Sequence, residues 1–308
     1  MRRISNFSGA VFLAFATMSL LFGCGGGSNS GTTPMTQGAN GANGAISGTA
    51  IKGPVSNALV TAYTVTNGMM GAQLSSGTTD SQGNFTLSLG EYSGPVMLRM
   101  NGGAYVDEAT GMTMTMLPGD VMTAVLPSVT SGETITGIQV TPLTSMAQAM
   151  AGNMAGGMTG TNILSANTTM GNYFLVNDIL YTQPMNPLVS GSSTTATQDM
   201  KNYGMAIAAM SQFAKDKGMT SSSGMVTAMM NDASDGVMNG MMGSTPIMMG
   251  GMTGGNSLMT TMTTTAGTNG LSAAMTDFMG SAMNKSGLTV TDMQTLMNQL
   301  NTSNGQMQ

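Results

Sequence analysis

The segment TTDSQGNFTLSL, residues 78–89, decides how the first half of the chain is read. Asp80-Ser81-Gln82-Gly83-Asn84 is a turn, because Asp and Asn bond their own backbone and Gly takes a left-handed conformation at no steric cost. Phe85, Leu87 and Leu89 then alternate with Thr86 and Ser88, the period of a strand with one buried face. The same pattern recurs on both sides. Upstream, Ile46–Ile51 reads as a strand closed by Gly53-Pro54, and Leu59–Val65 as a second. Downstream, Val96, Leu98 and Met100 alternate after Gly94-Pro95, and weaker strands follow at Met112–Leu117, Val121–Leu126 and Ile135–Val140. Short strands at this spacing predict an antiparallel β-sandwich over residues 45–140.

Beyond Thr141 the apolar period changes from two to about three and a half. Thr141 is a sound N-cap, and Pro142 occupies the first helical position, where its missing N–H costs nothing. Met146, Met150, Met154 and Met158 form one stripe at i, i+4, i+8 and i+12. Further helices are predicted at 163–175, 198–217, 225–233, 271–285 and 289–300, with a loop at 181–197. Tyr203, Ile207, Met210, Phe213 and Ala214 line the face of the 198–217 helix, and Thr289 with Asp292 makes a variant capping box. Residues 237–256 are Gly/Met low complexity and are expected to be mobile. The predicted class is therefore α+β in two segregated domains: the sandwich, then an all-α domain over 141–308.

The start of the chain carries a different signal. Arg2 and Arg3 precede the apolar run Val11–Phe22, too short to cross a bilayer as a helix. The run ends in Leu21-Phe22-Gly23-Cys24, and Cys24 is the sole cysteine. This junction resembles the lipobox of bacterial lipoproteins, although Phe22 stands where a small residue is usual. The resemblance implies a signal peptide at 1–23, lipid on Cys24 with palmitate among its acyl chains, and anchoring that several chains make firm. Gly25 rather than Asp after the cysteine implies onward export to the outer membrane, with periplasmic or surface display left open. Residues 24–44 are Gly/Ser-rich and read as a flexible tether.

Two further motifs resemble the carboxypeptidase regulatory-like, prealbumin-type sandwich: GTAIKGPVSNALV at 48–60 and TTDSQGNF at 78–85. GGAYVDEATG at 102–111 and VTPLT at 140–144 are similar to bacterial lipoproteins that join this sandwich to a helical region. What the resemblance implies is a binding or adhesive module without catalysis.

Composition narrows the chemistry. Of 308 residues 44 are Gly and 38 Met, with no His and no Trp. Without His there is no Ser-His-Asp or Cys-His catalysis and no zinc site of the usual kind. A net charge of −5 and the lack of a basic stripe exclude nucleic acid as a partner. Asp107 and Glu108 are the one adjacent carboxylate pair, and on a strand they would point to opposite faces. Asp232 and Asp235 read as a solvated face and a turn, and Asp80–Asn84 as a hairpin in preference to a Ca²⁺ loop. No catalytic residue, resident metal or cofactor is assigned. The methionines leave three readings open: core packing in place of Leu, Cu(I) binding or storage by soft thioethers, and oxidant scavenging. Met appears 27 times against 10 Leu from Pro142 onward, a spread that favours core. The expected function is binding or structural, at the cell envelope, with an envelope protein or glycan as partner and the lipid anchor in the membrane.

Overall fold

The computed structural model describes residues 43–249 and 260–307. The signal-like segment, Cys24 and most of the Gly/Ser-rich stretch lie outside them. Nine strands come first: β1 Gly44–Ala50, β2 Leu59–Thr66, β3 Met69–Thr78, β4 Asn84–Gly90, β5 Gly94–Asn101, β6 Ala104–Val106, β7 Thr113–Thr115, β8 Val121–Val129 and β9 Thr134–Val140. They form a three-stranded sheet in the order β4-β1-β9, a four-stranded sheet β3-β2-β5-β8, and the small pair β6-β7. The two motifs at 48–60 and 78–85 meet here, since β1 pairs antiparallel with β4 with Gly48 opposite Phe85. β1 runs parallel to β9, so the smaller sheet is mixed and not purely antiparallel. Gly48 is needed at that pairing, because a Cβ there would lie 1.9 Å from the Ile138 carbonyl oxygen.

One apolar cluster joins the two sheets. Ile46, Phe85, Leu87 and Ile138 come from the smaller sheet, and Val60, Val96, Leu98 and Leu126 from the larger. The larger sheet is buried on its other face as well, along β5 and β8. Met97 and Val125, neighbours of those residues and so pointing the opposite way, belong to the helical core, with Tyr63 and Val65 packed against it. That double burial explains the near-continuous apolar run Val121–Leu126, which a strand open to water on one side would not carry. β3 has no such pattern; its mostly exposed, Gly/Ser-rich residues gave no period to read.

The helices are α1 Pro142–Asn153, α2 Gly160–Phe174, α3 Gln198–Asp216, α4 Ser223–Ala233, α5 Leu271–Gly280 and α6 Gln294–Thr302. The change of period falls at Thr141, whose side chain accepts from the Thr144 amide while Thr144 returns a bond to the Thr141 backbone. α1, α2 and α4 lie against β8, and α3 runs through the helical core, buried without a break from Asn202 to Ala214. α5 stops five residues short of the expected Lys285, and α6 begins only after a 3₁₀ turn at Val290–Met293. The expected mobility of the Gly/Met stretch does not hold for its described part. Met238, Ile247 and Met249 are buried there, and Met241–Met242 pairs with Thr245–Pro246 in a short hairpin. Gly41–Gln308 forms one compact unit. No described helix is long and apolar enough to cross a membrane.

Candidate functional site

Lys52 follows β1 in the turn Lys52-Gly53-Pro54 and is wholly buried, an expensive place for a charge unless it is paired. It is paired twice. Its Nζ lies 2.7 Å from Glu108 Oε2 and 3.8 Å from Asp107 Oδ2, and it donates to the Ser211 hydroxyl on α3. The Tyr105 ring lies 5.1 Å below the ammonium, a cation–π contact. Burial alone would lower the Lys52 pKa; Glu108, then Asp107 and Tyr105, outweigh it and raise it, so the amine stays protonated.

The expectation that Asp107 and Glu108 point to opposite faces is overturned. β6 ends at Val106, and Asp107 Oδ1 accepts from the Ala109 and Thr110 amides at 3.1 and 3.0 Å. The pair therefore sits in a turn, where the two-residue alternation of a strand no longer applies, and both carboxylates reach Lys52. Serine hydroxyls on the helical side complete the cluster. Ser211 donates to Glu108 Oε2 and Ser222 to Asp107 Oδ2, each at 2.5 Å. Ser222 also meets the Tyr105 hydroxyl at 3.1 Å, while Ser223 and Thr227 donate to Asp120 at 2.7 and 2.8 Å. Ser211 is 159 residues from Lys52, a contact that no local spacing could reveal. The available signal was a lone cation inside the apolar run Ala50–Val55.

The other carboxylates also have structural partners. Asp80 accepts from the Gln82 and Asn84 amides at 2.8 Å and from the Asn84 side chain at 3.0 Å, which lowers its pKa, the Asn84 side chain contributing most. The turn is as expected, but the hairpin is not: β3 and β4, which it joins, belong to different sheets, so the chain crosses here from one sheet to the other. Asp235 accepts from the Val237 and Gly243 amides, again a turn. Asp232 is not on a solvated face. It is fully buried; Oδ1 accepts from the Asn239 and Gly240 amides, and Oδ2 has no partner. Burial raises its pKa to about 6 against those bonds. Among the described residues no three His, Cys, Asp or Glu side chains gather as a metal site.

Met146, Met150 and Met158 of the stripe are buried in the helical core, and Met154 packs against it half-buried. Met170, Met205, Met210, Met225, Met229, Met275 and Met293 are fully buried beside them. Of the Gly/Met stretch, Met242 and Met248 stay exposed and line one cavity of about 180 Å³. Cys24, the assigned lipid site, lies outside the described residues.

Larger clefts also open on the surface, one of them, of about 360 Å³, beside Tyr173 and Ser303. The widest, about 650 Å³, lies between α2 and α3 and is lined by Asp199 and Asp292. Asp199 is held by the Asn177 amide and side chain, and Asp292 by Thr289. A second, of about 290 Å³, reaches Glu108 at the edge of the ionic cluster and is otherwise lined by amides, prolines and apolar groups. A third, of about 240 Å³, lies between β8, α2 and the loop at Asn177–Tyr181. No protein-family model and no curated protein matches the chain. Among solved structures, a 9R-lipoxygenase from Cyanothece PCC8801 is similar over 66% of this chain and 26% of its own, at 11% identity and a TM-score of 0.21. The chain spans about a quarter of that protein's length, and so slight a likeness carries no argument about fold or activity.

Proposed function

We propose that the protein is a lipid-anchored cell-envelope protein with a binding or structural role and no catalysis of its own. In this reading residues 1–23 are a signal peptide, Cys24 carries lipid at the outer membrane, and 24–44 tether a prealbumin-like sandwich with its helical partner. The observation that supports a structural, non-catalytic role is the state of the buried ionic cluster. Lys52 is held protonated, so it cannot serve as a base, and Ser211 and Ser222 already donate to carboxylates. The groups that could do chemistry are spent on joining sheet to helices. Cys24→Ser tests the anchor: labelled palmitate should enter the parent protein and not the variant, which should leave the membrane or persist as precursor. Equal membrane retention of a processed variant would overturn it. Crosslinking from intact cells should then capture an envelope protein or glycan.

A second reading, Cu(I) binding, keeps one foothold in Met242 and Met248, soft ligands exposed on one cavity. Anaerobic Cu(I) titration against a competing chelator tests it, and binding unaltered in Met242→Leu would sink it.

A further inference from the structure

The cleft that reaches Glu108 lies between the end of β1, the turn before β4, the loop at 183–187 and α3. Glu108 is the one charged side chain among its described lining residues, and only 3% of it is exposed. Oε2 takes Lys52 and Ser211, whereas Oε1 accepts from no described residue. Unlike Gln139 Oε1 or Asp232 Oδ2, which are unpaired and sealed from solvent, Glu108 Oε1 is unpaired and reachable, and the cleft is the cavity that reaches it. The charge behind it is also unbalanced. Lys52 is the sole described cation paired with Asp107 and Glu108, so two carboxylates share one ammonium. Lys215, on the same helix as Ser211, donates to the Ala109 carbonyl instead. Ile51, Ile207, Pro184 and Pro187 supply apolar walls, and the exposed amides of Gln82 and Gln183 stand at the mouth. The walls are pre-formed. A Cβ on Gly204 of α3 would lie 2.0 Å from the Met185 carbonyl oxygen, so the loop is pressed onto the helix, and its prolines fix φ on either side.

We infer that this cleft takes a primary ammonium group on an aliphatic stem, the end of a partner's lysine side chain, with Glu108 Oε1 as its acceptor. The inference rests on the envelope-binding reading and names the group by which a protein partner is held. An ammonium supplies both the missing donor and the missing charge; a neutral hydroxyl would supply the donor alone. Its methylenes match the apolar walls, which a bare cation would not need. Arginine fits less well, because its planar fork pairs best with both oxygens of a carboxylate and Glu108 has one to offer. At about 290 Å³ the cleft falls just below the range of drug-sized sites, about 300–1,000 Å³, and suits one side chain. A free alkyl amine shares this chemistry, and the test separates the two sources.

The test is calorimetric titration of the full chain in detergent with acetyl-lysine methylamide, the same amide acetylated at Nε, and the free diamine cadaverine. Binding of the lysine amide that Nε-acetylation weakens by about tenfold or more supports the inference. Weaker binding of cadaverine supports the lysine source; equal or tighter binding keeps the ammonium site and overturns that source in favour of a free amine. Gln183→Trp, which fills the mouth from an exposed position, should weaken binding by about tenfold or more, and Glu108→Gln should abolish it. Leu59→Ala, at an exposed apolar residue elsewhere, leaves it unchanged. Thermal melts check that each variant folds; if Glu108→Gln does not, Gln183→Trp and the acetylated probe still decide. Binding undiminished in Gln183→Trp, or in a folded Glu108→Gln, overturns the site. Failure of both amines, or equal binding of the acetylated probe, overturns the inference, while Cys24-dependent anchoring and crosslinking judge the envelope reading separately. Tighter binding of Ca²⁺ than of either amine overturns the ligand class.

Discussion

Lys52 shows how much a single side chain can commit a fold to. Replacing it with Met would leave Glu108 and Asp107 buried and uncompensated, a loss of about 3–5 kcal/mol. Adding Asp107→Asn and Glu108→Gln to Lys52→Met should recover part of that loss, because neutral amides cost less to bury than charges. Urea denaturation of the three proteins measures it, and a triple variant less stable than Lys52→Met alone would contradict the assignment. Asp232 makes the opposite case, a carboxyl whose folded pKa of about 6 lies above its ordinary 3.8. The folded state therefore holds the proton more tightly than the unfolded chain. The stability this contributes is fully present below about pH 4 and is lost as the pH rises through about 6. Asp232→Asn should be more stable than the parent at pH 7.5 by about 1–2 kcal/mol and should lack that decline. Parallel stability curves for the two proteins between pH 4 and 7 would refute it. For Lys52 the apolar run around it is a hint of burial, while nothing local marks Asp232 as buried. A charge can be placed only once its partners are known, and those of Lys52 come from distant elements.

At the scale of elements, local signals proved reliable where local physics sets the structure. Thr141 and Pro142 begin α1, Thr289 and Asp292 close a capping box, and Asp80–Asn84 turns the chain into β4. Each rests on bonds within about four residues. β3 was missed because it is an exposed strand, held by its pairing with β2, with little apolar alternation. β6 is three residues long and too short to show a period. α5 was overextended because the methionine spacing continues to Met283, while the helix ends at Gly280. The Thr141 cap also carries a tertiary bond, to the buried Tyr203 hydroxyl at 2.6 Å, which itself donates to the Ile179 carbonyl at 3.0 Å. Thr141→Ala should thus cost more than an exposed cap, about 2–3 kcal/mol, and Thr141→Ser less than about 1 kcal/mol. Equal losses in thermal or urea melts would show that the hydroxyl is not what matters.

For the molecule as a whole, the decisive layer is the four-stranded sheet, because its strands β5 and β8 are buried on both faces. One face meets the smaller sheet through Val96, Leu98 and Leu126; the other meets the helices through Met97 and Val125. The ionic cluster crosses the same boundary, with Lys52, Asp107 and Glu108 on the strand side and Ser211 and Ser222 on the helix side. A change of period at Thr141 marks where strands give way to helices, but periodicity describes one element at a time. It does not say whether the surfaces on either side meet. Because they do, residues 45–140 made alone would expose Tyr63, Val65, Met97 and Val125 to water. They would also strip Asp107, Glu108 and Asp120 of their serine and threonine donors. Such a fragment should be aggregated or loosely packed, with poorly dispersed amide resonances. A chain that carries both the strands and the helices should instead unfold in one transition, with far-ultraviolet dichroism and tyrosine fluorescence tracing the same curve. Two separated transitions, or a well-dispersed spectrum from the fragment, would mean that the sandwich stands alone and that the polar contacts across the boundary only dock it.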